Sequence, residues 1–185
     1  MKHNRFFQIL LAIASSVIIS FLVFAHASAS VDDFSFSNFE ADYYLSKDSD
    51  GRSIMKVVEH LTAEFPNFDQ NKGIIRAIPI YYDGHSLSFE LSSLTRNGQN
   101  EPIYSQYTEN RNTVIETGTD DYVQGAQEYV FTYTLRDTVK TFGNKMELYW
   151  DTNGTGWTQK FDKLTARVHL DESVSDYFTG DISCY

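Results

Sequence analysis

Residues 53–65 read SIMKVVEHLTAEF. Met55, Val57, Leu61, Ala63 and Phe65 occupy odd positions, while Lys56, His60, Thr62 and Glu64 occupy even ones. A period of two gives an extended chain one apolar and one polar face, so the stretch is a half-buried β-strand. Glu59 breaks the pattern by falling on the apolar face. Burying a carboxylate without a partner is costly, so this strand demands a counter-charge.

A mirror case stands nearby in KGIIRAIPIYYDG, residues 72–84. Ile74, Ile75, Ile78 and Ile80 read as a buried strand, and Pro79 marks an edge or bulge because proline cannot donate to a sheet ladder. Arg76 is in step with Ile74, Ile78 and Ile80. Its planar fork can hold a carboxylate with two bonds and still donate to backbone carbonyls. The expectation is a structural ion pair, Glu59 with Arg76, bracing neighbouring strands. The alternative is that Arg76 grips an anionic ligand.

The same alternation recurs along the chain. Tyr129, Phe131, Tyr133 and Leu135 share one face, as do Leu164, Ala166, Val168 and Leu170, and again Leu87, Phe89 and Leu91. The 12 Tyr and 14 Phe, interleaved with Ser and Thr, are strand composition. Turn signals separate these runs: KDSDGRS at 47–53, YDGH at 82–85, RNGQ at 96–99 and NGTG at 153–156. Only 142–150 offers a place for a short helical turn. The pattern predicts an all-β fold, an antiparallel two-sheet sandwich of the immunoglobulin-like kind with roughly seven to nine strands, preceded by an N-terminal signal helix.

The start of the chain is of another character. Lys2, His3 and Arg5 precede an apolar run from Phe6 to Phe24, and Ala25-x-Ala27 has the small-residue spacing of a signal-peptidase site. Residues 1–27 therefore read as a cleaved signal peptide, with an uncleaved anchor as the other reading. Residues 31–172 read as one β-sandwich domain, and 173–185 as a C-terminal tail whose YFTGDISCY looks like a strand pattern cut short. Lys2 and Arg5 are the charges in the leader, so removing them from the 15 basic residues leaves 13 against 25 acids, a balance of −12. That argues against a nucleic-acid partner, since phosphate binding needs basic patches. A single cysteine, Cys184, leaves an exported domain with no internal disulfide, so its core must hold it together.

Chemistry-bearing clusters are sparse. His60, His85 and His169 are far apart, and no Gly-x-Ser-x-Gly elbow occurs. Asp48 and Asp50 in one turn, and Asp120 and Asp121 in another, offer oxygen ligands for calcium, but no closing glutamate completes an EF-hand loop. They read as turn aspartates, and neither a metal site nor a cofactor is expected. Asn153-Gly154-Thr155 is a sequon placed at a turn, and Trp150 and Trp157 flank it as core anchors or, alternatively, a carbohydrate-stacking pair.

Taken together these motifs resemble a family of predicted membrane proteins, domain of unknown function 2207. GIIRAIP at 73–79 looks like its hallmark, and DGRSIMKVVEHLTAEF at 50–65 like its opening hairpin with a glutamate in the second strand. GAQEYVFTYTL at 125–135, ELYWDTNGTGW at 147–157 and KLTARVHL at 163–170 follow in the family's order, with Asp151 where asparagine is usual. The resemblance spans roughly residues 34 to 171. It implies a signal-led envelope protein with this domain outside the membrane and transmembrane helices after it; it carries no catalytic residues across. The function expected is a non-enzymatic binding, sensing or assembly module, extracytoplasmic at the cell membrane or secreted. Its partners would be other envelope proteins or cell-surface polymers. An enzyme using the loop carboxylates, or a plain structural spacer, stand as the alternatives.

Overall fold

The computed structural model describes residues 30–82 and 84–183. The signal segment at 1–27 and Cys184 lie outside the described residues.

Among the described residues, thirteen strands carry the fold. They are β1 (Ser35–Lys47), β2 (Ser53–Phe65), β3 (Ile75–Pro79), β4 (Tyr81–Tyr82), β5 (His85–Ser86), β6 (Ser88–Arg96), β7 (Gln99–Asn100), β8 (Ile103–Glu109), β9 (Asn112–Thr117), β10 (Gly125–Arg136), β11 (Val139–Phe142), β12 (Lys145–Leu148) and β13 (Leu164–Leu170). One six-stranded sheet runs β13-β1-β2-β10-β6-β7, and a three-stranded sheet runs β3-β9-β8. Two ribbons, β4-β5 and β11-β12, complete the set.

The centre of the large sheet follows from the alternation. In β2, Met55, Val57, Glu59, Leu61, Ala63 and Phe65 are all buried. Tyr129, Phe131, Tyr133 and Leu135 of β10 are buried beside them. Phe131 and Ala41 face Glu59 from the two flanking strands. Ile74 and Ile78 at β3 and Ile115 of β9 belong to the same core cluster, so both larger sheets share one interior. At roughly 1.5–3 kcal/mol per large apolar side chain, this burial is the main favourable term.

Local chemistry sets the turns. Asp48 Oδ1 accepts the Asp50 and Arg52 amides, and Gly51 takes φ +81°, which closes the β1–β2 hairpin. Gly73 and Gly118 serve a different need, because there the chain segments touch. A Cβ on Gly73 would overlap the Thr117 carbonyl, and one on Gly118 would overlap that of Lys72.

The structure departs from the sequence expectations in four places. Strand β13 runs parallel to β1, so the sheet is not wholly antiparallel. A period of two carries no direction, and the long excursion between β12 and β13 is enough for a crossover. Strand β13 is also an edge. Leu164 and Val168 share a face with the core yet remain 44% and 55% exposed. Ile75 is 56% exposed, because strict alternation with buried Ile74 and Arg76 turns it outward. The 142–150 stretch lies in and after the β11–β12 hairpin, turned by Gly143 at φ +61°, and contains no helical turn. The described helix is a single turn, Glu172–Ser175, capped by the Asp171 carboxylate on the Ser173 amide.

Gly118→Ala should cost at least about 2 kcal/mol, since it combines a left-handed φ of +109° with a backbone overlap. Gly156→Ala, which meets open space at an ordinary φ, should stay within about 0.5 kcal/mol. Urea midpoints of the two variants provide the comparison.

Candidate functional site

The most concentrated polar chemistry lies in the interior. Arg76, on the inward face of β3, donates from Nε to Glu59 Oε2 at 2.8 Å and from Nη2 to Glu59 Oε1 at 2.6 Å. Its Nη1 donates to the Ala77 carbonyl at 3.0 Å and to the Asn153 carbonyl at 3.2 Å. Tyr133 of β10 donates to Glu59 Oε1 at 2.7 Å. Trp157 Nε1 also donates to the Asn153 carbonyl, at 2.7 Å. The guanidinium carbon sits 5.7 Å from the Phe39 ring and 5.8 Å from that of Trp157. Both side chains of the ion pair are almost wholly buried.

Each element places its residue by its own local rule. Alternation turns Glu59 and Arg76 inward from two different sheets. The 150–157 segment passes the free edge of β3, where the Asn153 carbonyl meets the guanidinium. The Tyr43 hydroxyl donates to the Thr152 carbonyl of the same segment at 3.4 Å.

Electrostatics follow from burial. Desolvation opposes the charge on Arg76, but the Glu59 carboxylate beside it more than offsets this and holds its pKa above the usual range. Burial, and next the Glu59 charge, push the Tyr43 and Tyr133 phenols up. Burial raises Tyr129 as well. With both oxygens engaged and no exposure, Glu59 is closed to a molecule arriving from solvent. What the arrangement does is fix geometry: one carboxylate ties β2, β3 and β10 together, and one arginine adds the 150–157 segment.

The remaining sequence candidates do not converge. Asp48 and Asp50 close one end of β2, and Asp120 and Asp121 lie just before β10, near its other end. Thirteen residues of strand separate those ends, roughly 40 Å at 3.3 Å per residue. His60 meets Glu128 at 3.2 Å, His85 donates to the Asp137 carbonyl at 2.6 Å, and His169 donates to Asp42 at 2.6 Å, three separate places. Among the described residues no three His, Cys, Asp or Glu side chains group as metal ligands would. Trp157 packs edge-on against Phe36 and Phe161, and Trp150 lies tilted against Tyr82, so both rings are partly buried on the core.

Sequence reasoning missed two partners of this cluster and a second ion pair. Tyr133 looks like any inward aromatic, Asn153 contributes its carbonyl rather than its side chain, and Arg96 with Glu101 forms a second pair at 2.8 Å with the carboxylate buried. The signal for the last was present: Glu101 follows the β6–β7 turn, five residues after Arg96.

Breaking the central pair should be severe. Glu59→Leu or Arg76→Met alone leaves the other partner's charge buried and unpaired, at about 3–5 kcal/mol, while the double variant Glu59→Leu/Arg76→Met should cost less than the sum. Denaturant unfolding of the double-mutant cycle tests this. Stability should also fall at alkaline pH. The folded state holds the Tyr43, Tyr129 and Tyr133 phenols protonated beyond their unfolded pKa near 10, so the stability they contribute is complete below that pH and is lost as pH rises above it. Urea midpoints measured on both sides of that pH should show the drop, and Tyr133→Phe should make it shallower.

No curated protein matches the chain. Among solved structures, native leukotriene A4 hydrolase from Saccharomyces cerevisiae aligns at 9% identity with a TM-score of 0.35, covering 60% of this chain and 17% of that one. That likeness is too slight to carry any argument. The family described as predicted membrane protein, domain of unknown function 2207, N-terminal domain, matches residues 35–182, a stretch that contains every strand described above. The chain belongs to that family.

Proposed function

We propose that this chain is an extracytoplasmic, immunoglobulin-like β-sandwich module of a membrane protein, working by binding or assembly rather than by catalysis. The core shared by the two larger sheets supports the sandwich, and the parallel β1–β13 edge is its departure from the immunoglobulin pattern. The leader-like Lys2-to-Ala27 segment supports export, either to the outer side of the cell membrane or as a secreted product. The partners that fit are other envelope proteins or cell-surface polymers.

One observation carries the reading. The strongest polar chemistry is locked inside, whereas the outer side of the three-stranded sheet presents Ile75, Tyr104 and Tyr107 to solvent. A cleft of about 330 Å³ lies there, lined by Lys72, Ile75, Tyr104, Glu116 and Asp120 among others. Exposed apolar groups rimmed by charge mark interaction surfaces.

Purified chain, immobilised and exposed to detergent-solubilised cell envelope, should retain a specific partner. An Ile75→Asp/Tyr104→Ala variant should retain at least about fivefold less, without loss of its fold by circular dichroism. Equal retention by both, or none by either, would leave the spacer reading standing instead. A reporter enzyme active only outside the cytoplasm, fused after Leu170, should be active; silence there overturns the location.

A further inference from the structure

Among the described residues, the two larger sheets end in four open edges: β13, β7, β3 and β8. Three are defended by the devices that keep sheets from pairing with other chains. Strand β13 carries Lys163, Arg167 and His169 along or beside it, tied to Glu40 and Asp42 of β1. Strand β7 is two residues long. Strand β3 holds Pro79, and Arg76 and the 150–157 segment take up its free side through the Ala77 and Asn153 carbonyls.

Strand β8 has a bulge at its start and none of the other devices. It is IYSQYTE, seven residues with no Lys, Arg or Pro, and its one charge, Glu109, stands at the end. Ile103, Tyr104 and Tyr107 are exposed on it, Tyr104 at 68%. A bulge beside Tyr104 disturbs its start, but the register from Ser105 to Glu109 is regular against β9. The Thr117 amide donates to the Ile74 carbonyl, and that of Gly118 donates to the Pro102 carbonyl. So odd residues of β9 bond toward β3 and even ones toward β8. With Tyr107 opposite Val114, the alternation of an antiparallel pair turns the N–H and C=O of Gln106 and Thr108 away from β9, to the open side.

We infer that β8 is a self-association edge, and that a second copy of this chain pairs with it antiparallel across a two-fold axis. Self-pairing fits the strand's chemistry. With the axis at Tyr107, Gln106 bonds to Thr108 of the second copy and the reverse, so every outward backbone group in the regular stretch finds a partner. Tyr107 then meets its own copy, and Glu109 meets Ser105, so no like charges oppose each other. That matters for a chain with a formal charge of −10, which resists self-contact through most of its surface. The same operation on β13, centred at Arg167, would set two arginines face to face. The assignment rests on the assembly half of the proposed function, yet it stands or falls separately, because it needs no envelope partner.

Sedimentation equilibrium of the full chain over a wide concentration range should show a reversible dimer. Thr108→Pro removes an outward N–H without touching the β9 ladder, and should raise the dimer dissociation constant at least about tenfold at an unchanged unfolding midpoint. As a second measurement, Tyr107→Cys in a Cys184→Ser background should oxidise to a covalent dimer, because directly opposed, non-bonded residues bring their Cα atoms to about 4.5 Å. Leu164→Cys in the same background should not. A chain that stays monomeric, a dimer indifferent to Thr108→Pro, or cross-linking at 164 in place of 107 overturns the inference. So does capture of another protein's extended segment at β8 by a chain that remains monomeric.

Discussion

Glu59 and Arg76 are the constraint on which the rest of this molecule depends. A carboxylate and a guanidinium, each placed on an apolar strand face, are tolerable in the interior only when they meet. Their meeting requires the three-stranded sheet to lie against the six-stranded one, with β3 opposite β2. It also requires both strands in one register, because a slip of one residue turns Glu59 or Arg76 to solvent and the neighbouring apolar residues with it. Leucine and methionine in their place would pack with similar energy but would accept several offsets. The gain from the pair is therefore specificity of arrangement more than net stability.

Arginine rather than lysine suits the task because the demands on it are geometric. Two donors meet the carboxylate side by side, a third nitrogen reaches Ala77 and Asn153, and the flat group sits near two aromatic rings. An ammonium has three donors and no plane. The glycines at 73 and 118 belong to the same design, since they let the chain before β3 lie against the chain after β9 with no Cβ between them. The hallmark GIIRAIP thus contains a close-approach glycine, an anchor charge and an edge proline in seven residues.

Much of this was legible from residue order alone. Alternation in β2 and β10 assigned their inward faces, and the two misplaced charges identified each other because no other buried partner was on offer. What alternation cannot encode is direction or coverage. The pattern of β13 is as regular as that of β2, yet it ends as a parallel edge strand with Leu164 and Val168 half-uncovered, since nothing in seven residues says how many layers will lie above them. The roles of Asn153 and Trp157 were hidden for a related reason: a backbone carbonyl has no letter in the sequence, and its position depends on where the whole 150–157 segment comes to rest. Ile75 shows the opposite case. The alternation around Arg76 already turned it outward, and only the habit of reading an Ile-rich run as core concealed it.

The family motifs therefore report on architecture. Five stretches separated by up to a hundred residues converge on or beside one buried cluster: the glutamate from the second strand, the arginine from the hallmark, the tyrosine from β10, the carbonyl and indole from the tryptophan-flanked turn, and β13 alongside β1. Residues so engaged have no freedom left for a ligand. Any activity that distinguishes one such domain from another must sit where the hub makes no demand, outside the buried cluster. There a substitution changes what the molecule meets while the buried pair keeps its shape.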